Sequence, residues 1–378
     1  MHATSESASA PAAPLDGAAV LADLRRWAAE LGFSQITVAD PALDGAEAGL
    51  AAWLAAGHHG TMDYMAAHGP LRARPAELVP GTRSVICARM DYLPGPAHGG
   101  AEGDWAEAEA ARLADPRAAT VSVYARGRDY HKVLRQRLQK LAERLAAQIG
   151  PFGHRVFTDS APLLEVELAQ RSGLGWRGKH TLLLSREGGS MFFLGEICTD
   201  LPLPATPPTA AHCGRCTACL DVCPTQAILG PQRLDARRCL SYLSIEQDGP
   251  IPLAFRAAMG NRIYGCDDCQ RVCPWNTFAQ RSPLPDFAVR EDFRDPTLLQ
   301  LWAWDEPTFL RRTEGSAIRR IGHARWRRNL VVALGNALRA TGDADIRQAL
   351  AAERARPGLS PLLAEHLDWA LAQSPDPA

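Results

Sequence analysis

Cys213-Gly214-Arg215-Cys216-Thr217-Ala218-Cys219-Leu220-Asp221-Val222-Cys223-Pro224 is the stretch on which the reading of this chain turns. Downstream stands Cys266-Asp267-Asp268-Cys269-Gln270-Arg271-Val272-Cys273-Pro274, with Cys239 alone between the two runs. Thiolates are soft, charged donors that hold iron and spread the charge of a cluster. Two residues between ligands let a tight turn wrap one corner of a cube. The longer step to Cys-Pro sends the last thiolate to the other cluster, as in two-cluster ferredoxins. The pattern therefore predicts two [4Fe–4S] clusters. Cys213, Cys216 and Cys219 with Cys273 serve the first, and Cys266, Cys269 and Cys223 with Cys239 serve the second. Paired CxxC motifs also build structural zinc sites, though these gather four ligands in two compact pairs without two Cys-Pro endings. Disulfides are not expected, because no signal peptide is visible and cysteine is otherwise scarce.

Working outward, 378 residues with 46% hydrophobic content suffice for two or three folded domains. A formal net charge of −1 excludes a strongly basic protein, so any nucleic-acid contact has to use a local patch. No apolar run approaches the roughly 20 residues that span a bilayer. With neither a leader nor a twin-arginine signal, and with oxygen-sensitive clusters, the expected location is the cytoplasm.

Residues 1–15 are rich in Ala, Ser and Pro and read as a disordered tail. Asp16 is placed to cap a helix carrying Val20, Leu21, Leu24, Trp27 and Leu31 on one face and ended by Gly32. A second helix follows Asp129, with Val133, Leu134, Leu138, Leu141 and Leu145 aligned and Gly150 as its stop. Ser84–Ala88, Thr120–Ala125 and His154–Thr158 read as strands. Thr181–Ser185 and Met191–Thr199 read as a hairpin about Glu187-Gly188-Gly189-Ser190. This alternation predicts an α/β domain over residues 16–205, with residues 93–118 as a surface insertion. The prolines of Leu201–Thr209 mark the exit into a cysteine-rich module at 206–282, and Pro283–Pro285 opens a helical region at 283–378. There Trp326–Leu338 and Ile346–Leu371 read as paired helices of HEAT type.

Clusters move electrons, so another site has to perform chemistry on a substrate. No GxGxxG opens a strand–helix unit, which argues against a dinucleotide-binding domain. The densest polar and glycine-rich run is Thr158-Asp159-Ser160-Ala161-Pro162, followed by Gly173-Leu174-Gly175-Trp176-Arg177-Gly178-Lys179-His180. Asp159 ends a predicted strand and precedes a helix, where functional side chains often sit. The plainer alternative is a helix cap.

The segments TDSAPLLEVELAQRSGLGWRGKHTLLLSREGGSMFFLGEICTDLPL, CGRCTACLDVCPTQAI, CLSYLSIEQ, MGNRIYGCDDCQRVCPWN and RNLVVALGNA resemble the epoxyqueuosine reductases, and the likeness runs through nearly all the chain after residue 16. The resemblance implies an α+β or α/β cobalamin-binding domain of nitroreductase type, a ferredoxin-like double-cluster domain and a helical HEAT-like tail. It implies reduction of the epoxide of epoxyqueuosine in tRNA to queuosine, using base-off cobalamin fed by two [4Fe–4S] clusters and an external low-potential electron donor. Asp159 matches the family's proposed proton donor, a role that would need burial to raise its pKa.

Lys179 and His180 are expected at corrin amides or the nucleotide tail, with Ser241, Asp267 and Asp268 meeting the cofactor from the cluster side. His180 has the alternative of a satisfied core histidine. Cys87 and Cys198 are read as packing residues. Arg311, Arg312 and the run Arg319–Arg328, with Arg320, Arg325 and Arg328 foremost, are expected to bind tRNA phosphates, against the alternative of a solvated helix face. The enzyme is expected to be a monomer. A reductive dehalogenase-like enzyme acting on a small molecule is the alternative function, and a pure electron carrier the next.

Overall fold

The computed structural model describes residues 16–373, so the tail expected over residues 1–15 lies outside the described residues. The first helix, Gly17–Glu30, begins where Asp16 Oδ1 accepts the N–H groups of Ala18 and Ala19 at 3.1 Å. Asp129 caps the helix Tyr130–Ile149 in the same way. Both starts follow from local chemistry, since a side-chain oxygen satisfies an N–H that the helix cannot.

These helices lie on one face of a four-stranded sheet. Its strands are β1 (Gln35–Ala39), β2 (Ser84–Asp91), β3 (His154–Phe157) and β4 (Phe192–Thr199), in spatial order β1-β2-β4-β3. All three pairings are antiparallel, with β2 matched along its whole length to β4. Alternation of helices and strands led to an α/β expectation, but this sheet is of the α+β kind. Strand direction depends on long-range pairing, which helix–strand alternation does not encode.

Every residue of β2 is buried, and period two divides them between two cores. Ile86, Ala88 and Met90 face Leu24, Leu134, Leu138 and Leu141 of the two long helices. Val85 and Cys87 face Phe157, Leu168 and Cys198 on the other side, where helix Glu165–Arg171 packs. Cys87 and Cys198 are fully buried and serve as packing residues.

Several expectations change once the pairing is seen. Only Thr120–Val121 of the strand expected at 120–125 is extended, and Val123–Ala125 forms a 3-10 turn. Leu183–Leu184 pairs with Trp176–Arg177 rather than with β4, so the expected hairpin is replaced by a shorter one. The supposed surface insertion at 93–118 is packed. Leu93–Pro94 pairs with Arg281–Ser282, Trp105 is buried, and Glu109 forms a buried ion pair with Arg126 at 2.5 Å. Thr120–Val121 likewise pairs with Arg262–Tyr264. Main-chain hydrogen bonding thus crosses the boundaries drawn at residues 205 and 282.

The C-terminal part centres on helix Gly322–Thr341, buried continuously from Trp326 to Leu338. Helices Leu253–Met259 and Pro361–Leu371 and strand Arg262–Tyr264 pack around it. The second helix expected over 346–371 is two, Ala344–Arg354 and Pro361–Leu371, separated by a turn containing Pro357 and Gly358.

This enclosure corrects the reading of the arginine run as a phosphate-binding face. Arg328 is 0% exposed and donates to the carbonyls of Leu243, Gln247 and Gly249 at 2.6–2.8 Å. Arg325 donates to the carbonyls of Ile321 and Ile245, and Arg327 stacks 3.3 Å over the Trp302 ring. These guanidiniums are tied to the protein's own carbonyls and rings. Arg328→Met strands three carbonyl acceptors and should cost about 3 kcal/mol. Thermal unfolding followed by circular dichroism should shift down by several degrees, Arg328→Lys should not restore it, and Arg319→Gln on the exposed surface should leave it unchanged.

Candidate active site

Strand β3 runs into Thr158, whose hydroxyl donates to the Leu194 carbonyl at 2.9 Å. The chain then turns sharply, leaving Asp159 with φ +52° in the left-handed region. A non-glycine residue is held there only by surrounding contacts. Asp159 opens into a cleft of about 1260 Å³, walled by Leu50, Trp53, Tyr64, Leu163 and Val166, with Arg72, His131, Glu165, Arg177 and Arg320 among its polar lining. Gln232, Arg233 and Leu234 close it from the cysteine-rich side. Thr181 and Gln232, two further non-glycine residues with positive φ, also line it.

Asp159 Oδ2 accepts hydrogen bonds from the Tyr130 hydroxyl and from His131 Nε2, the latter at 3.0 Å. His131 Nδ1 meets Asp129 Oδ1 at 2.8 Å, so the imidazole stands between two carboxylates. Tyr130 is stacked between Phe193 and His131, with ring centroids 4.1 and 4.0 Å away, which fixes its hydroxyl. Asp159 is 56% exposed at its side chain, because solvent enters the wide cleft, although protein surrounds most of its remaining directions.

The electrostatics follow from these contacts. Burial alone would lower the His131 imidazole, but hydrogen bonds to Asp129 and Asp159 outweigh it and hold the ring at about 9. Burial alone would raise Asp159, yet the His131 and Tyr130 hydrogen bonds, with the Arg320 charge, hold it below the usual carboxylate value. The expectation of an Asp159 kept protonated by burial is therefore corrected for the open cleft, where the proton rests on His131.

The cysteines form two neighbourhoods. Burial, then the thiols of Cys273, Cys213 and Cys216, push Cys219 up to about 11. Burial, then Cys266 and Cys239, raise Cys269, and Cys223 lies close enough to add to Cys239. The longer-range effect of Cys219 on Cys269 sets the two neighbourhoods beside each other. Among the described residues no three His, Cys, Asp or Glu side chains gather closely enough to chelate a single metal ion. A tetrahedral zinc site would bring its thiolates to about 3.8 Å of one another, whereas a four-iron cube needs them further apart. Cys216 is exposed.

None of Lys179, His180, Ser241, Asp267 or Asp268 lines the cleft. Lys179 Nζ donates to the carbonyls of Gly214 and Cys216 at 2.8 Å, which ties it to the first cysteine loop. His180 is buried, accepts the Leu182 N–H, and is lowered to about 4 by that burial. Ser241 lies beside Cys239, towards which its N–H points. Asp267 accepts from the Ser122 hydroxyl and the Val123 N–H, and Asp268 pairs with Arg262 at 2.7 Å. Of the three arginines assigned to tRNA, Arg320 alone faces the cleft, in a bidentate pair with Glu246 at 2.6 and 3.1 Å. Sequence reasoning missed Tyr130, His131 and Glu165. The signal for two of them lay in Asp129-Tyr130-His131, where Asp129 was read as a cap alone.

A family model described as "Epoxyqueuosine reductase QueG, DUF1730" matches residues 72–160, and one described as "4Fe-4S double cluster binding domain" matches residues 212–276. The curated epoxyqueuosine reductase of Alicycliphilus denitrificans is 65% identical over 353 residues, 93% of this chain and 97% of that protein. A solved epoxyqueuosine reductase with a tRNA-Tyr epoxyqueuosine-modified stem loop superposes with a TM-score of 0.84 at 25% identity, over 95% of this chain and 91% of that one. The Bacillus subtilis epoxyqueuosine reductase, solved with a catalytic aspartate loop swung out of the active site, gives 0.81 at 25% identity, over 94% and 90%.

The charge on His131 is open to direct measurement. Its raised pKa means that the favourable pairing with Asp159 is complete below about pH 6.5 and lost as pH rises through about 9. An NMR titration of the imidazole should find a midpoint near 9. In Asp159→Asn the midpoint should fall back towards 6.5. A wild-type midpoint below 7 contradicts the ion pair.

Proposed function

The chain belongs to the epoxyqueuosine reductase family of tRNA-modifying oxidoreductases, and we propose that it reduces tRNA-borne epoxyqueuosine to queuosine with Asp159 delivering the proton. The observation that carries this reading is the placement of Asp159, between His131 and Tyr130, in a cleft of about 1260 Å³ that abuts the cysteine-rich part.

The residues fit the cofactors that the family implies. Small-molecule pockets usually run to about 1,000 Å³, and this cleft exceeds that, which suits a corrin together with a nucleoside. Arg177 Nε is buried without a partner in the cleft wall, a donor left for a ligand. We assign the corrin amides to Arg177 and its neighbours in the wall, in preference to Lys179, His180, Ser241, Asp267 and Asp268, whose placement suits support of the cysteine loops and packing. We carry the cofactor as base-off cobalamin without a histidine ligand. The sequence lacks a DxHxxG signature for such a ligand, and of the histidines lining the cleft (His58, His68 and His131) His131 has both nitrogens engaged. We likewise assign Cys213, Cys216, Cys219 and Cys273 to one [4Fe–4S] cluster and Cys223, Cys239, Cys266 and Cys269 to the other. When bound, cobalamin would supply a reducible cobalt, and the clusters the single electrons passed on from an external low-potential donor.

The chain's own residues handle the proton. Reducing an epoxide to an alkene takes two electrons and two protons and releases the oxygen as water. Ring opening leaves an alkoxide that takes the first proton, and its departure takes the second. Asp159, 56% exposed at its side chain, is an acid open to the cleft. In the solvated cleft Asp159 is ionised and His131 carries the charge. Covering the cleft with substrate and cofactor expels water, and an ion pair loses more from that than the neutral pair does. The proton then moves from His131 Nε2 to Asp159 Oδ2, where it can reach the alkoxide. Asp129 holds the imidazole in place throughout.

tRNA is proposed to dock at the cleft rim, where Arg320 stands; Arg319 and Arg311 are exposed and free to add charge. Arg325 and Arg328 are withdrawn from that role. No helix among the described residues is long and apolar enough to cross a membrane, and a tRNA substrate favours a cytoplasmic location.

Asp159→Asn should retain its iron and its corrin absorption bands while epoxide reduction, read by nucleoside mass spectrometry, falls by about 10²–10⁴-fold. Undiminished turnover contradicts the proton-donor role. For the clusters, Mössbauer spectra of Cys273→Ala and Cys239→Ala should show damage to different centres. Each variant damaging the centre assigned to the other would reverse the crossed ligation.

A further inference from the structure

Behind Asp159 lies a carboxyl pair that the proton path above does not use. Glu196 stands on β4 opposite Phe157, is 0% exposed, and neither of its oxygens meets a donor. Its hydrogen-bonding neighbour is Glu165, at the first turn of helix Glu165–Arg171. Two ionised carboxyls offer each other only acceptors, so contact between them requires a proton on one. Glu165 Oε1 in turn accepts the backbone N–H of Asp159 at 2.5 Å, at the residue whose φ of +52° needs outside support.

The charged and titratable groups around the pair do not neutralise it. Asp159, His131 and Tyr130 stand on the cleft side, Arg72 flanks Glu165, and Cys87 and Cys198 lie within the sheet. His131 is committed to Asp129 and Asp159, and Arg72 donates to the carbonyls of Met65 and Tyr64.

We propose that Glu165 and Glu196 are held in contact by being protonated in the working enzyme, and that Glu165, through the Asp159 N–H, is the positioning residue that holds the Asp159 loop in its left-handed turn. This rests on the reading of Asp159 as proton donor. Burial, then the Asp159 charge, lift Glu165 to about 8, and burial, then Glu165, lift Glu196 further. As pH rises through about 8 Glu165 gives up its proton, while Glu196, raised further, keeps its own. A negative charge on Glu165 then faces that on Asp159, and the Asp159 loop is loosened. Because these carboxyls are raised, their contribution to stability is complete below the ordinary glutamate value of 4.5 and declines as pH rises towards about 8.

The test uses the full-length protein. Infrared difference spectra should show protonated-carboxyl stretches at pH 7 that lose part of their intensity with a midpoint near 8 and are altered in both Glu165→Gln and Glu196→Gln. Hydrogen exchange of the Asp159 amide should quicken about tenfold in Glu165→Ala, the loss of one hydrogen bond, and much less in Glu165→Gln, whose amide oxygen still accepts. Epoxide reduction should fall on the alkaline side with a midpoint near 8 in the wild type, and in Glu165→Gln that limb should move up towards the His131 midpoint near 9. No protonated carboxyl at pH 7, or an alkaline limb in Glu165→Gln that stays near 8, overturns the protonated pair. Unchanged exchange in Glu165→Ala overturns the positioning role. Full activity of Asp159→Asn would sink the donor reading alone, with the infrared and exchange results still supporting the pair.

Discussion

The buried amides of Asn276 and Gln270 fasten the cysteine-rich module to the sheet, and the geometry of the site depends on them. Asn276 Oδ1 accepts the Ser190 N–H at 2.6 Å while its Nδ2 donates to the Gln270 carbonyl at 2.7 Å. Gln270 Nε2 reaches the Ser190 carbonyl at 2.9 Å. Each bond is worth about 1 kcal/mol net, but leaving such a buried group unpaired costs about 1–3 kcal/mol, so the network holds as a unit. It leaves no room for a side chain at Gly189, where an added Cβ would stand 2.2 Å from Asn276 Oδ1. Ser190 immediately precedes Met191 and β4, so Cys269 and Cys273 are registered against the same strand that carries Glu196.

That register explains why three separated segments can offer thiols to two centres. Cys239 comes from the turn before helix Leu240–Ile245, which Arg328 pins through the Leu243 carbonyl. The first run is steadied by Lys179 through the carbonyls of Gly214 and Cys216. Lys179, expected at the cofactor, is tied to the first cysteine loop, and around a metal centre a fixed support matters as much as a ligand.

What the sequence made legible was local. The cysteine spacing, the Asp16 and Asp129 caps and the period-two burial of β2 are all written within a few residues. The antiparallel order of the sheet is not, because β2 and β4 are over a hundred residues apart in sequence and buried on both faces. The arginine run misled for a related reason. Charge pattern says nothing of burial, and Trp326 within that run was the better guide to a helix enclosed on all sides. Asp159 was visible at the end of its strand, while His131 was hidden by the cap beside it, since Asp129 performs both tasks with one oxygen.

The two carboxyl arrangements around Asp159 differ in what balances them. On the cleft side a cation, His131, balances the negative charge, and solvent moderates the interaction. On the sheet side Glu196 is closed off from solvent and meets no cation, so the balance has to come from a proton. Asp159 belongs to both, its side chain to the first and its backbone N–H to the second. A change of protonation on the sheet side therefore acts on the position of Asp159, whereas one on the cleft side acts on its charge. Separating the two lets an aspartate be placed firmly while its own proton stays free to move.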